Sequence, residues 1–400
     1  MRQDISTFLI FLSITTLVFL TAHFYVGWRL IRPAELRPRT KRLLWILTLG
    51  FPLFSPFSFV SRIILAESIL TDIIGWIAYL EMGFFSLLLS FVLVKDVLLG
   101  LRKLAGKISR YHKPAFDPER RQFISNSINI SMFGGALLFS GYGLYEARRR
   151  ASLETIPIHI PDLPPSFEGY KIVQFSDLHV GPTIKQGFVR SVADQINRLE
   201  ADLIVFTGDL VDGSVAGLKD DVEPLKELHA RDGVYFITGN HEYYSGAMDW
   251  IKHVEKLGFT PLLDEHDLIR KEGDPLVLAG VTDYSAGTFI PDHTSDPHKA
   301  ISGAPTSSVK ILLAHQPRNI YAAAEAGYHL QLSGHTHGGQ YIPWSYLVTL
   351  SQPYVIGLHK HENTWIYVNR GTGYWGPPLR LGVPSEVSVI RLTRKYIAPV

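Results

Sequence analysis

Four apolar runs crowd the first 150 residues, and they constrain the chain more than any other feature it has. Phe8 to Val26, Leu43 to Val60, Ile73 to Val94 and Ile128 to Tyr145 each approach or exceed the roughly 18 apolar residues at which a membrane-spanning helix becomes the default reading. The first carries no formal charge. The second contains Pro52 and Pro56, which predict a kink or a partly re-entrant path. The third holds one acid, Glu81, which is either functional or packed against a neighbouring helix. The fourth is diluted by Gly134, Gly135, Gly141 and Gly143. A cleaved signal peptide does not account for four such runs. Residues 1–150 are therefore expected to form an all-α, multi-pass transmembrane anchor of about four helices.

Charge supports this division. Residues 1–150 carry 19 Lys and Arg against 9 Asp and Glu, a net +10, whereas residues 151–400 carry 20 against 28, a net −8. The basic residues lie in clusters between the apolar runs, as in a membrane domain and unlike a nucleic-acid surface. Six of them fall between Arg29 and Arg42 and eight between Lys95 and Arg121, while Ser61 to Asp72 has only Arg62. Short basic loops stay on the cytoplasmic side. With four spans, the N-terminus and everything after Tyr145 then face the opposite side, in spite of Arg148-Arg149-Arg150. Ahead of the fourth run, Arg120-Arg121-Gln122-Phe123-Ile124 reads either as an internal twin-arginine export signal or as a basic stop beside an ordinary helix. The expected location is the cell (inner) membrane, with residues 151–400 on the extracytoplasmic face.

From about Ile156 the pattern changes. Lys171 to Ser176, Leu203 to Thr207, Val234 to Thr238, Leu276 to Val281, Lys310 to Ala314, Leu330 to Ser333, Thr364 to Asn369 and Glu386 to Leu392 read as strands. Between them, Phe188 to Leu199, Met248 to Leu257 and Ile320 to Ala326 have helical spacing, so the region predicts a layered α/β domain. Polar residues of one kind follow the strands: Asp177 and His179, then Asp209 and Asp212, then Asn240, His241 and Glu242, then His315, then His335 and His337. Carboxyl ends of strands in such sheets converge on one crevice. With no cysteine in the chain, a metal site has to be built from His, carboxylate and amide groups. Two Asp, three or four His and one Asn suffice for two divalent ions sharing one carboxylate. Two ions about 3.5–4 Å apart can clamp both the attacking and the leaving oxygen of a phosphoryl displacement. Glycines beside the ligands let the backbone turn tightly and a substrate approach. Taken singly, each of these motifs is also compatible with an ordinary turn.

Together, Asp177-x-His179, Gly208-Asp209-x-x-Asp212, Gly239-Asn240-His241-Glu242, His315 and Gly334-His335-x-His337 resemble the complete motif series of the calcineurin-like metallophosphoesterases, over roughly residues 165 to 394. Ile160 to Pro164 and Asn369 to Gly373, with Pro378, Arg380 and Pro384, are similar to the bacterial membrane-associated branch that includes YkuE- and YaeI-like phosphoesterases. Tyr374-Trp375 stands where smaller residues are expected. The resemblance implies a four-layer αββα sandwich over residues 151–400. It implies one metal on Asp177, His179, Asp209 and His337, and a second on Asp209, Asn240, His315 and His335, with Asp209 bridging. His241 would face the leaving-group oxygen, backed by Asp212 and Glu242. Arg370 and Arg380 would stabilise charge on the phosphate. The expected ions are Mn²⁺, Fe or Zn²⁺, and the expected chemistry is in-line hydrolysis by a metal-bridging hydroxide.

Anchoring by four spans suggests a substrate that is itself in the membrane: a phosphodiester or diphosphate in a lipid or lipid-linked molecule. Trp344, Tyr346, Tyr354, Tyr374 and Trp375 form a candidate aromatic rim for the headgroup boundary. Enzymes that cleave UDP-diacylglucosamine are similar, though that substrate lies in the cytoplasmic pool. An outward-facing site suits phospholipid headgroups or envelope polymers. Two other readings stand beside this one. In the first, the membrane half is a sensor or transporter carrying an idle phosphoesterase domain, against which the intact ligand set counts. In the second, the protein is a phosphatase acting on phosphoproteins. The topology is checked by a reporter fused after Val400: one that works only outside the cytoplasm should be active there, and activity of a cytoplasmic reporter alone would reverse the orientation.

Overall fold

A strand such as Leu203 to Phe206, apolar at every position, is stable only if both of its faces are covered. The computed structural model describes residues 2–65, 67–108, 117–306 and 308–395. The chain divides into two units, Met1–Leu144 and Tyr145–Val400.

The first unit is helical, with α1 (Arg2–Leu30), α2 (Pro38–Gly50), α3 (Phe54–Leu65) and α4 (Ile69–Ile108), and α5 (Pro118–Arg148) carries the chain into the second. Pro52 lies in the 3-10 turn Phe51–Leu53, where the second apolar run passes from α2 to α3, and Pro56 lies in the first turn of α3. Among the described residues, Pro38–Arg62, Ile69–Gly106 and Glu119–Arg148 are long and apolar enough to cross a membrane. Phe8 to Val26 lies within α1, helical throughout but outside those three. The basic segment expected as a loop from Lys95 to Arg121 is helical at both ends, since α4 runs on to Ile108 and α5 begins at Pro118. Residues 109–116 and Val400 lie outside the described residues. Arg120 to Ile124, read as a signal or a stop, are the opening turns of α5. Glu81 faces His23 at 2.7 Å, with the His23 ring stacked on Phe85, and Asp96 is bound by Tyr25 and Arg29. Charges inside a membrane domain are tolerated when paired in this way.

The second unit holds two six-stranded sheets. β1 (Ser152–His159), β2 (Lys171–Phe175), β3 (Leu203–Phe206), β4 (Val234–Phe236), β5 (Thr260–Pro261) and β12 (Glu386–Thr393) form one, in the order β1-β12-β2-β3-β4-β5. The other has β6 (Glu265–Lys271), β7 (Asp274–Gly280), β8 (Val309–Leu313), β9 (Leu330–Ser333), β10 (Gly357–His361) and β11 (Thr364–Val368), in the order β10-β11-β9-β8-β7-β6. The remaining helices are α6 (Gln186–Asn197), α7 (Val215–Val222), α8 (Asn240–Ser245), α9 (Ala247–Lys256), α10 (Pro297–Ala300), α11 (Ile320–Glu325) and α12 (Ser345–Val348). Ile172, Leu203 and Val205 share a core with Leu276, Ile311 and Leu330 of the second sheet. Their neighbours Val173, Phe175, Ile204 and Phe206 turn the other way, onto Val189 and Ile196 of α6 and Trp250 of α9. Behind the second sheet, Ala279 and Leu312 meet Ala300 of α10 and Ala323 of α11. This is the expected four-layer αββα sandwich, and it explains why the central strands alternate between two apolar layers instead of between apolar and polar.

The eight strands expected from the sequence are present. The four that were not expected, β1, β5, β6 and β10, are the four sheet edges. An edge strand has one unpaired side and tolerates charge and proline, and these carry Glu154 and Pro157, Pro261, Asp267 and Arg270, and Lys360. Their apolar signal is correspondingly weak. Phe206 holds the helix-side layer together, with its ring between Phe175 at 4.7 Å and Phe236 at 5.6 Å. Phe206→Ala should lower the unfolding free energy by about 3–5 kcal/mol, read as a fall in denaturation midpoint. A change within the ~0.5 kcal/mol of a surface substitution would contradict this packing.

Candidate metal centre

Because β2, β3 and β4 run parallel, and so do β8 and β9 in the other sheet, their carboxyl ends gather the polar loops. Two bonds tie the sheets together there. The Gln174 amide donates to the Ser333 carbonyl at 2.9 Å, and His315 Nδ1 donates to the Thr207 carbonyl at 2.7 Å. Five expected ligands, Asp177, His179, Asp209, His335 and His337, have positive φ between 51° and 71°. Such backbone is uncommon for residues with a Cβ and is retained where surrounding structure enforces it, typically at functional sites. Part of the enforcement is close packing. A Cβ on Gly239 would come within 2.2 Å of Asp209 Oδ1, so only glycine lets these two loops touch. The glycines thus bring ligand loops together, more directly than they open the site to substrate.

The expected ligands converge. Asp177, His179 and His337 form one group of potential donors, and Asp209, His315 and His335 a second. Asp209 Oδ2 lies 3.1 Å from His315 Nε2 and 3.7 Å from His179 Nε2, between the two groups. His179 Nε2 and His337 Nε2 point at each other across 3.0 Å, and His335 Nδ1 and His315 Nε2 across 3.2 Å. The buried Oδ1 of Asn240 has no hydrogen-bond partner among the described residues. Opposed imidazole nitrogens, an orphaned amide oxygen and two almost fully buried carboxylates are the environment that divalent cations satisfy. The donor set therefore fits two ions sharing Asp209.

Neighbouring groups fix the orientation of these donors. Asp212 Oδ1 accepts from His179 Nδ1 at 3.1 Å and from His241 Nδ1 at 2.5 Å, leaving the His179 Nε2 free to ligate. Burial opposes ionisation of Asp212, yet the two imidazoles hold its carboxyl below the usual range. Burial likewise works against a charge on His241, and the carboxylates of Asp209 and Asp212 overcome it, raising its pKa to about 9. Glu242 is wholly buried. Its Oε2 accepts the backbone N–H of Gly239 at 2.6 Å and of Asp209 at 3.0 Å, and its Oε1 accepts that of Leu210 at 2.7 Å. Burial, then the negative charge of Asp209, pushes this carboxyl up to about 8. Burial and the adjacent His315 lower His335 to about 3, and burial, His179 and Arg380 lower His337 well below its ordinary value, so both imidazoles are neutral, as ligation requires.

Three expected positions differ. Arg380 does not face a phosphate: it is completely buried behind His337, donating to the carbonyls of His337, Arg370, Gly371 and Gly373. Arg370 is committed to Glu386 at 2.5 Å and to Glu154, because the buried Glu386 carboxylate requires a counter-charge. Tyr374 is not on the rim, since it is 1% exposed and donates to the Thr183 carbonyl. Trp375 and Tyr346 are exposed, and Trp375 packs against His241 with ring centroids 5.5 Å apart. Tyr244, which the motif reading missed, flanks His241 at 5.3 Å. Its only signal in the sequence is its place two residues after the Asn240-His241-Glu242 turn.

Residues 170–339 match the family model described as calcineurin-like phosphoesterase. An uncharacterized metallophosphoesterase of Helicobacter pylori strain J99 is 37% identical over 282 residues, covering 70% of this chain and 74% of that one. A transmembrane protein with metallophosphoesterase domain from Danio rerio is 33% identical over 328 residues, covering 79% and 74%. The metallophosphoesterase YkuE of Bacillus subtilis is 31% identical over 283 residues, covering 68% and 97%. The chain belongs to the calcineurin-like metallophosphoesterase family. It is a metal-dependent phosphoric ester hydrolase of a membrane-associated branch.

The close approach of Gly239 and Asp209 is directly testable. Gly239→Ala removes no ligand, yet its methyl group overlaps the Asp209 carboxylate. Metal content measured by atomic emission should fall well below that of the wild type, while a full complement of metal would refute the contact.

Proposed function

We propose that the protein hydrolyses a phosphodiester or diphosphate bond in a lipid or lipid-linked substrate. The observation that carries this reading is an apolar lip beside the metal centre. No Asp, Glu, Lys or Arg occurs between Glu325 and Lys360, a stretch that includes both His335 and His337. Directly after those ligands, Ile342, Tyr346, Leu347, Leu350 and Ile356 stand exposed, Leu350 by 83%. Tyr244, Phe289 and Trp375 are exposed as well, Tyr244 and Trp375 against His241 and Phe289 against Tyr244. Apolar surface of this kind, rimmed by polar groups, marks an interaction with lipid or protein, and the spanning helices in the same chain favour lipid. A UDP-diacylglucosamine-type substrate fits the bond class. The extracytoplasmic orientation expected from the basic loops would favour phospholipid headgroups instead.

In the proposed reaction Asp177, His179, Asp209 and His337 hold one ion, and Asp209, Asn240, His315 and His335 the other. Bound ions would supply Lewis acidity for water activation and for charge on the phosphoryl oxygens, with Mn²⁺, Fe and Zn²⁺ all suited to the donor set. His241 is the group placed to protonate the leaving oxygen. It is partly exposed, carries a proton near neutral pH, and is oriented by Asp212. Thr207 and Asp212 fix the tautomers of His315 and His179, and Glu242 fixes the turn that presents Asp209.

Lipid phosphodiesters, nucleotides and phosphopeptides compared on the purified protein in detergent test the substrate class. Turnover should be metal-dependent and greatest on the lipid, and phosphopeptide preference would replace this reading with a phosphoprotein phosphatase. His241→Ala should lower kcat by about 10²–10⁴-fold with both ions retained, whereas loss of the ions in that variant would refute the role of His241. No turnover in folded protein would favour the sensor reading, and metal-independent turnover would refute the metal-based reaction.

A further inference from the structure

The end of α5 builds a cationic cavity that the hydrolytic chemistry does not use. It encloses about 190 Å³ and is lined by Arg148, Arg149 and Arg150 on one side and by Gly187, Ser191 and Gln195 of α6 on the other, with no acidic residue in its wall. The three guanidinium groups give this wall a positive potential that attracts an anion. Their arrangement is fixed: Arg148 donates to the Thr183 carbonyl at 2.7 Å and to the Tyr374 hydroxyl at 3.2 Å, with its guanidinium over the Phe188 ring at 5.8 Å. Arg149 is held by Glu146 at 2.8 Å. Gly187 lies in the first turn of α6, whose N-terminal dipole also favours negative charge.

The position of the cavity along the chain indicates the source of that anion. Arg148 is the last residue of Glu119–Arg148, a helix long and apolar enough to cross a membrane. A basic residue ending such a helix sits at the depth of the lipid phosphates. We propose that this cavity binds the phosphodiester headgroup of an anionic phospholipid, independently of the metal centre and of its substrate. Arginine forks suit phosphate oxygens bidentately, and the volume admits a phosphodiester with part of its glycerol.

Because the chain has no cysteine, Ser191→Cys gives a single thiol inside the cavity, and Asp194→Cys gives one on the exposed side of the same helix. Each full-length variant is labelled with a charged maleimide in detergent micelles containing phosphatidylglycerol or diacylglycerol. Relative to the Asp194→Cys control, labelling of the Ser191→Cys variant should slow by about fivefold or more with phosphatidylglycerol, the factor expected for one basic residue at a lipid surface. Diacylglycerol should leave it unchanged, and Arg149→Gln with Arg150→Gln should restore the rate. No protection, or protection that survives the arginine substitutions, overturns the site. Equal protection by inorganic phosphate alone overturns the lipid assignment in favour of a free anion. Thermal midpoints that match the wild type establish that each variant is folded.

Discussion

Two carboxylates, Asp177 and Asp209, lie almost entirely out of water in one cavity, and the organisation of the catalytic unit follows from keeping them there. A buried carboxylate is costly unless it is neutralised and hydrogen-bonded. Asp177 accepts the backbone N–H of His335 at 3.0 Å, and Asp209 Oδ1 accepts that of His241 at 2.9 Å. In each case the donor comes from a loop that is itself a ligand loop. Each ligand segment is thus part of the scaffold for another, and the left-handed backbone at five of them is the local cost of aiming so many donors at one place. A pair of cations would complete the charge balance that imidazoles alone meet only in part.

Behind the ligands stands a layer of groups that never needs to touch a substrate. Glu242 gathers three backbone N–H groups, Asp212 bridges two imidazoles, and Arg380 spends its guanidinium on four carbonyls around His337. A ligand's neighbours govern its tautomer and basicity, so these residues are placed to tune the candidate ligands without contributing a donor. Arg380 also illustrates how a cation can act on a site from its buried side: after burial and the neighbouring His179, its charge adds to what keeps His337 neutral.

Around this rigid centre the exposed surface is unusually apolar. The charge-free stretch that starts before His335 emerges as Ile342, Tyr346, Leu347 and Leu350, while His241 is flanked by Tyr244 and Trp375. In the first unit Glu81 is paired with His23 and Asp96 with Arg29 and Tyr25, and the helices display leucine, isoleucine and phenylalanine outward. Both units therefore expose apolar surface, of a kind that suits a protein working at a lipid boundary.

The eight interior strands were legible in the amino-acid order because each is paired on both sides and carries a short run dominated by buried apolar residues, as in Leu203 to Phe206. The candidate ligands that converge were legible because a hydrolytic metal site would draw on few residue types, and strand ends recur at readable intervals. Edge strands were not, since a strand with one free side is under little pressure to be apolar. Nor were the places of Arg370, Arg380 and Tyr374: a string of letters identifies an arginine but not the buried Glu386 or the ring of carbonyls that claims it. Local order sets which groups are available. Only packing across sequence separations such as the 158 residues between His179 and His337 decides which of them meet, because that choice depends on desolvation and on contacts that no neighbouring residue reports.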